Sequence, residues 1–289
     1  MQTNTERVLR QLANNISAMD EVESIGISAS KKELPKAGEG DIDVFIYCGK
    51  IPGLEKRQAV IKQTDSVIQA GKMNVFEGGH WGVGDLVFID GIETWLMYFT
   101  VKETLYNVEA ILNGDYPDKL DDYYYPIGRC AMLKNIHVLY DKSEFLHTLK
   151  ARLNIYPDDL AKTLAAYHLN MLEDTEDLLR AVSRKDVLFY HFAMDLAIDH
   201  FLQALFAVNK VYFPSRKRTL EFLKKFDHKP ENCEERLLDS IRLGSCAETV
   251  AASCEQWSKL VAELRELVKN NDIHPEPQTS LGISLAEYE

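Results

Sequence analysis

Asp41-Ile42-Asp43 opens a strongly apolar run, Val44-Phe45-Ile46-Tyr47. In a strand, side chains alternate with period two, so the two aspartates project from one face while Ile42, Val44 and Ile46 project from the other. Two carboxylates held that close repel one another unless a cation lies between them. A divalent ion with oxygen ligands answers that need, and Mg2+ (or Mn2+) is the natural candidate. Just upstream, Gly26-Ile27-Ser28-Ala29-Ser30 is a stretch of small residues. Its backbone N–H groups and the hydroxyls of Ser28 and Ser30 could come close to phosphates. Metal and phosphates together suit a nucleoside triphosphate as co-substrate.

Other residues could serve the same chemistry. Glu93, which follows Asp90-Gly91-Ile92, is the acid on a neighbouring extended run and shares a face there with Trp95 and Met97. His80 lies in a glycine-rich stretch, Glu77-Gly-Gly-His-Trp-Gly82, without a second ligand at a helical or loop spacing, so it reads as part of a pocket wall. Further along, Asp195 and Asp199 are four apart and stack on one helix face, where like charges are costly unless they serve a ligand or meet bases. Lys217 sits in the basic island Arg216-Lys217-Arg218, which could hold a phosphate group, as could Lys31/Lys32. The acidic run Glu173-Asp174-Thr175-Glu176-Asp177 is either a substrate surface or a solvated helix.

These residues need a scaffold, and the hydropathy pattern supplies one of α+β class. The first half predicts a helix near 4–18, strands near 23–29 and 42–48, and a helix over 54–70. Extended runs at 85–89 and 93–100 follow, joined by Asp90-Gly91 as an antiparallel hairpin. A helix near 102–112 and a strand at 135–140 complete a mixed sheet with helices on one face, and the domain boundary is placed at Asp141. The second domain, 142–289, reads as an all-α bundle with helices at about 142–152, 157–182, 184–210, 215–226, 231–243 and 246–270. The segment 271–289, with two prolines and few apolar anchors, is expected to lie loosely over the surface or to frame a cleft.

Composition narrows the function. A chain of 289 residues is long enough for two cores, and 46% hydrophobic with 27% charged residues describes an ordered globular protein. No apolar run approaches the roughly 20 residues of a membrane span, and the amino-terminal residues contain no signal core. Five cysteines without a CxxC pair point to reduced thiols and a cytoplasmic protein. A net charge of −12 argues against sequence-independent binding to a phosphate backbone and suits a small or cationic partner.

The pattern of a small-residue turn ending in Ser, a spacer and Asp-x-Asp in an apolar strand resembles the nucleotidyltransferase superfamily typified by DNA polymerase β and the antibiotic nucleotidyltransferases. Ten residues separate Ser30 from Asp41. Ala29 stands where that family has Gly, and Trp95 stands about where its third acid is expected. The downstream run Leu205-Phe-Ala-x-Asn209-x-x-Tyr212-Phe-Pro214-x-x-Lys217 is similar to the lincosamide and aminoglycoside nucleotidyltransferase type. The resemblance implies an N-terminal catalytic domain and a C-terminal substrate-binding bundle that closes over it. It further implies Asp41, Asp43 and Glu93 on the metal, Ser28 or Ser30 and Lys217 on the triphosphate, and Asp195 or Asp199 as general base. The acceptor would be a hydroxyl of a small molecule of aminoglycoside or lincosamide type, pyrophosphate would leave, and a homodimer is compatible with the pattern. One alternative is a catalytically impaired nucleotide-binding protein of the same fold that acts through a partner. Another rests on Arg184 and His191, whose spacing resembles the Arg-x(4–6)-His element of helical-bundle RNases.

Overall fold

A computed structural model describes residues 4–28, 34–64, 68–271 and 273. The chain divides into two compact units, Met1–Ile111 with Arg129–Ile155, and Leu112–Gly128 with Tyr156–Glu289. The division therefore falls after Ile155 and not at Asp141, and residues 112–128 group with the helical part.

The first unit runs α1 (Asn4–Ser17), β1 (Val22–Ile27), β2 (Ile42–Cys48), α2 (Leu54–Gln63), β3 (Ile68–Ala70), β4 (Phe76–Glu77), β5 (Val83–Ile89), β6 (Ile92–Thr100), α3 (Val101–Leu112), α4 (Pro126–Asn135), β7 (His137–Asp141) and α5 (Phe145–Leu153). The strands form one mixed sheet in the order β3-β5-β6-β2-β1-β7, with β4 also pairing with β5. β2 and β6 run parallel, and the other pairs are antiparallel. Period-two alternation sorts the side chains. Ile25, Ile27, Val44, Ile46, Leu96 and Tyr98 share a face and pack with Leu9, Leu12 and Ile16 of α1 and Val60 and Ile61 of α2 into the unit's core.

The opposite face carries Asp43, Phe45 and Tyr47 on β2 beside Trp95, Met97 and Phe99 on β6, residue for residue. At its far end Phe145 of α5 packs on Tyr47, with ring centroids 5.3 Å apart. Helices thus attend both faces, one more than the sequence pattern predicts. Gly26 of β1 allows the close approach there, because an added Cβ would collide with Ile136. The β5–β6 hairpin turns on Asp90 and Gly91, both at positive φ (50° and 76°), as a two-residue turn of this kind requires.

Three departures from the periodicity have local causes. The helix expected over 54–70 stops at Gln63, where Thr64 folds its hydroxyl back to the Val60 carbonyl at 2.8 Å, and Ile68–Ala70 pairs with β5 as a strand. α4 and the short β4 carry too little pattern to be foreseen. Lastly, α5 belongs to the sheet unit: the Asp141 carboxylate at the end of β7 accepts the amides of Leu146 and His147 in its first turn.

The second unit contains α6 (Asp158–Met171), α7 (Glu176–Arg184), α8 (Val187–Val208), α9 (Thr219–Leu223), α10 (Cys233–Gly244) and α11 (Val250–Asn270). α8 is its axis: Ile198–Val208 is buried on every side, with Phe201 against Trp257 and Phe206 against Phe213, Phe222 and Phe226. The helix expected over 157–182 is two, because Asp174 turns its carboxylate to the Glu176 amide and starts α7 anew. α8 begins at Val187, since Lys185 is left-handed (φ 53°) and Asp186 caps Phe189. A left-handed Arg218 likewise shortens the helix expected over 215–226 to five residues. The five cysteines are free thiols, and among the described residues no helix is long and apolar enough to cross a membrane.

Candidate functional site

Asp41 immediately precedes β2 and is exposed, while Asp43, its second residue, is half-buried. The parallel register sets Asp43 opposite Trp95 of β6, so Glu93, two residues earlier and exposed, lies one step further toward the start of β2 on the same face. β1 ends beside them: the Ser28 amide donates to the Asp43 carbonyl at 3.1 Å. Small residues, two aspartates and a glutamate therefore gather at one open end of the sheet. Ser30 and the pair Lys31/Lys32 lie outside the described residues.

The donor set fits a magnesium ion, which keeps several waters and takes one or two protein carboxylates together with substrate phosphates. Among the described residues, no group of three or more His, Cys, Asp or Glu could by itself hold a metal. The metal reading therefore rests on Asp41 and Asp43, and Glu93 does not complete a three-acid cage with them. Opposite Asp43, β6 carries an aromatic ring. Trp95 stacks on Phe76 at 5.8 Å, and Phe76 in turn lies on Gly84, where any Cβ would overlap its ring.

Two residues along β2 the same face turns aromatic, and it holds a cation that sequence reasoning missed. The Arg129 guanidinium of α4 lies 5.5 Å over the Phe45 ring and 4.7 Å over that of Phe99. It donates to the His80 carbonyl at 2.8 Å. His80 sits in a short 3-10 turn flanked by Gly78, Gly79 and Gly82, all at positive φ, so it is a structural anchor through its backbone. Nothing in the local pattern marked Arg129, because α4 itself was not expected.

The second unit has a polar centre of its own. Asp199 of α8 is only 2% exposed and accepts from the Tyr125 hydroxyl at 2.8 Å. Lys119 Nζ stands 3.7 Å from one carboxylate oxygen and Arg216 Nε 3.9 Å from the other. Burial pushes the Asp199 carboxyl above its ordinary range, although the Tyr125 hydrogen bond and both cations pull the other way. The exposed Asp195, one turn earlier, pairs with the same Arg216, so the acidic stack on α8 does meet a base. Next to it the buried rings of His200 and His168 meet Nδ1 to Nδ1 at 2.9 Å. Tyr125, Lys119 and the histidines come from segments far apart in sequence, which explains why spacing alone did not reveal them.

The remaining candidates are accounted for locally. Lys217 donates its amide to the Ser215 hydroxyl at 3.2 Å, and its side chain is exposed. In the acidic run, Glu176 and Asp177 pair with Arg180 and Glu173 with Arg265. Arg184 and His191 fall on different helices, since the left-handed Lys185 separates them, and His191 meets the Ser245 hydroxyl at 3.3 Å.

Against known proteins, residues 125–218 match a family described as a domain of unknown function (DUF4037), which spans less than half of the chain. No curated protein matches. Among solved structures, the chain is similar to a nucleotidyltransferase-like protein from Exiguobacterium sibiricum 255-15, with a TM-score of 0.47 and 10% identity over 91% of this chain and 74% of that one.

Proposed function

We propose that the chain is a nucleotidyltransferase that moves a nucleoside monophosphate from a triphosphate to a hydroxyl of a small molecule. The observation that carries this reading is the Ser28–Asp43 hydrogen bond, which sets the small-residue end of β1 against the Asp41-x-Asp43 start of β2. In such a reaction the acceptor oxygen forms a bond to the α-phosphorus, the bond from that phosphorus to the bridging oxygen breaks, and pyrophosphate leaves. Asp41 and Asp43 would hold Mg2+, or Mn2+, which when bound neutralises charge on the triphosphate oxygens. Ser28 would present backbone and hydroxyl to phosphates. Asp199 is the proposed base for the acceptor proton, because its burial favours the protonated form that the reaction creates. Arg216 and Lys119 favour its ionised form, against the pull of burial. A cationic acceptor such as an aminoglycoside, or a lincosamide, suits the net charge of −12.

The test is pyrophosphate release from each nucleoside triphosphate with magnesium across a panel of aminoglycosides and lincosamides. Release that needs an acceptor and vanishes in Asp41→Asn is the expected result; undiminished turnover in that variant would sink the mechanism. A second reading, nucleotide binding without chemistry, is favoured by Trp95 standing opposite Asp43 in place of an acid. It predicts thermal stabilisation by a triphosphate with no pyrophosphate released under any condition of the panel.

A further inference from the structure

We infer that His200 is a second acid–base group of the polar centre in the helical unit, receiving at Nε2 the proton that Asp199 takes up, with His168 as its positioning residue. The source of that proton is the acceptor hydroxyl, so in this respect the inference rests on the nucleotidyltransferase reading. The geometry behind it is the contact of the two rings, Nδ1 to Nδ1 at 2.9 Å. Two nitrogens that close form a hydrogen bond only when one carries a hydrogen and the other a lone pair. The pair therefore holds one hydrogen between its Nδ1 atoms and at most one on each Nε2, which is room for one proton beyond the neutral state.

The surroundings decide which ring receives it. His168 is fully buried; its Nε2 is enclosed without a hydrogen bond, and the Pro117 carbonyl is the backbone acceptor that favours a hydrogen on that ring. With its hydrogen on Nε2, His168 accepts at Nδ1 from His200, and the lone pair left over is that of His200 Nε2. His200 keeps 9% exposure and makes no other hydrogen bond among the described residues. Segment 112–125 presents Asp118 and Lys119 to it, α6 presents Tyr167 beside His168, with ring centroids 6.4 Å from His200, and α8 itself presents Asp199. Burial keeps the ring below the ordinary histidine value, the two aspartates favour its charged form, and Lys119 opposes it. A ring that is neutral near pH 7, with a lone pair beside carboxylates, is a proton acceptor. Asp199 needs one, because burial favours its protonated form and so retains a proton taken from the acceptor. Relay breaks the O–H bond of the Asp199 carboxyl and forms an N–H bond at His200 Nε2, which restores the carboxylate and leaves an imidazolium. That imidazolium still donates from Nδ1 to His168, so charging the pair leaves the ring contact intact.

The test is nitrogen NMR of the full chain labelled with 15N-histidine, whose ring signals report tautomer and charge without any turnover. His168→Gln and His200→Gln assign the two rings by the signal that each removes. In the wild-type chain near neutral pH, His168 should carry its hydrogen on Nε2 and His200 on Nδ1, and on acidification His200 should charge before His168. Asp199→Asn removes the neighbouring carboxylate and should move the His200 titration at least about half a pH unit lower. The Nε2–H tautomer on both rings, charging at His168 first, or a smaller displacement in Asp199→Asn overturns the inference. The tautomers are read on the wild-type chain, so they decide the matter should that variant fail to fold. Where transfer is observed, His200→Gln should lower kcat at least about tenfold with little change in KM, and a smaller loss overturns the relay. The two failures are separable: if no triphosphate yields pyrophosphate yet the tautomers and the dependence on Asp199 are found, the transferase reading falls and the proton-accepting pair stands.

Discussion

Asp85 in the sheet unit and Asp199 in the helical unit are both buried carboxylates, 0% and 2% exposed, and burial raises both above the usual range. Their surroundings differ. Asp85 is closed: Arg57 Nη1 reaches one oxygen at 2.6 Å and the Asn74 amide reaches the other at 3.0 Å. Arg57 is itself 3% exposed, bonds to the Asn74 side chain and lies 5.2 Å over the Tyr98 ring. Asp199 is open: its cations stand 3.7 and 3.9 Å away, and their side chains are 24% and 34% exposed. A closely bonded pair like the first serves to fix α2 against the sheet. A carboxylate held by one hydroxyl and two distant, hydrated cations can change its protonation state, and that is the property a base requires.

The largest effect separates the two arginines. Arg57→Met leaves Asp85 buried without its cation and should cost about 3–5 kcal/mol of unfolding free energy. Arg216→Met removes a partly solvated partner and should cost less than about 1 kcal/mol. Urea unfolding of both variants decides the matter: equal losses would mean that Asp199 is as closed as Asp85 and would count against it as a base.

The same contrast shows what could be read from the sequence. The start of β2 was legible because Asp41, Asp43 and the alternation after them are contiguous, and Ile42–Cys48 is the strand that the pattern predicts. The hairpin was legible because Asp90-Gly91 imposes its own geometry. The stack of Asp195 and Asp199 could be seen, but what it meets could not. Tyr125, Lys119 and Arg216 lie 74, 80 and 17 residues from Asp199 along the chain, and only the packed bundle unites them. The boundary at Asp141 was misplaced for a physical reason as well: helical periodicity in α5 does not reveal that its first amides are tied to the end of β7. Arg129 stayed hidden because the pattern predicts neither α4 nor the two rings beneath it as neighbours.

Acid should loosen the two units at different pH. His168 is fully buried, and its pKa is pushed down to about 3, by burial first and then by the neighbouring His200. A histidine with a depressed folded pKa binds more protons when unfolded, so the helical unit loses stability as pH falls below about 6.5 and continues to lose it until about 3. In the sheet unit, burial alone would raise Asp141, but the Ser24 hydroxyl and the His147 and Leu146 contacts outweigh it and hold its carboxyl below 3.8. Its contribution is present above that value and fades only as pH falls through the lower folded pKa. Trp81 and Trp95 report the first unit and Trp257 the second. Single-tryptophan variants should therefore show Trp257 unfolding first on mild acidification. His168→Gln should flatten the dependence of the Trp257 transition between pH 6.5 and 4.5, and an unchanged slope would remove the histidine pair as its cause.

The smallest effect tests the openness of Asp199 most directly. Tyr125→Phe deletes the hydroxyl that donates to the carboxylate at 2.8 Å, while leaving the edge-to-face contact of the ring with Phe213 at 5.0 Å. The cost should be about 1 kcal/mol in stability, the usual worth of one such hydrogen bond. The informative change is in the pH profile. The lost donor had favoured the ionised carboxylate, so the folded pKa of Asp199 rises further, and, if Asp199 is the base of the proposed transfer, the acid limb of that activity moves to higher pH. In a structural role the same variant would lower the unfolding midpoint and leave the acid limb in place. A carboxylate whose ionisation is balanced between burial on one side and a hydroxyl with two cations on the other must respond when one weight is removed, and Asp85, with both oxygens bonded, offers no comparable lever.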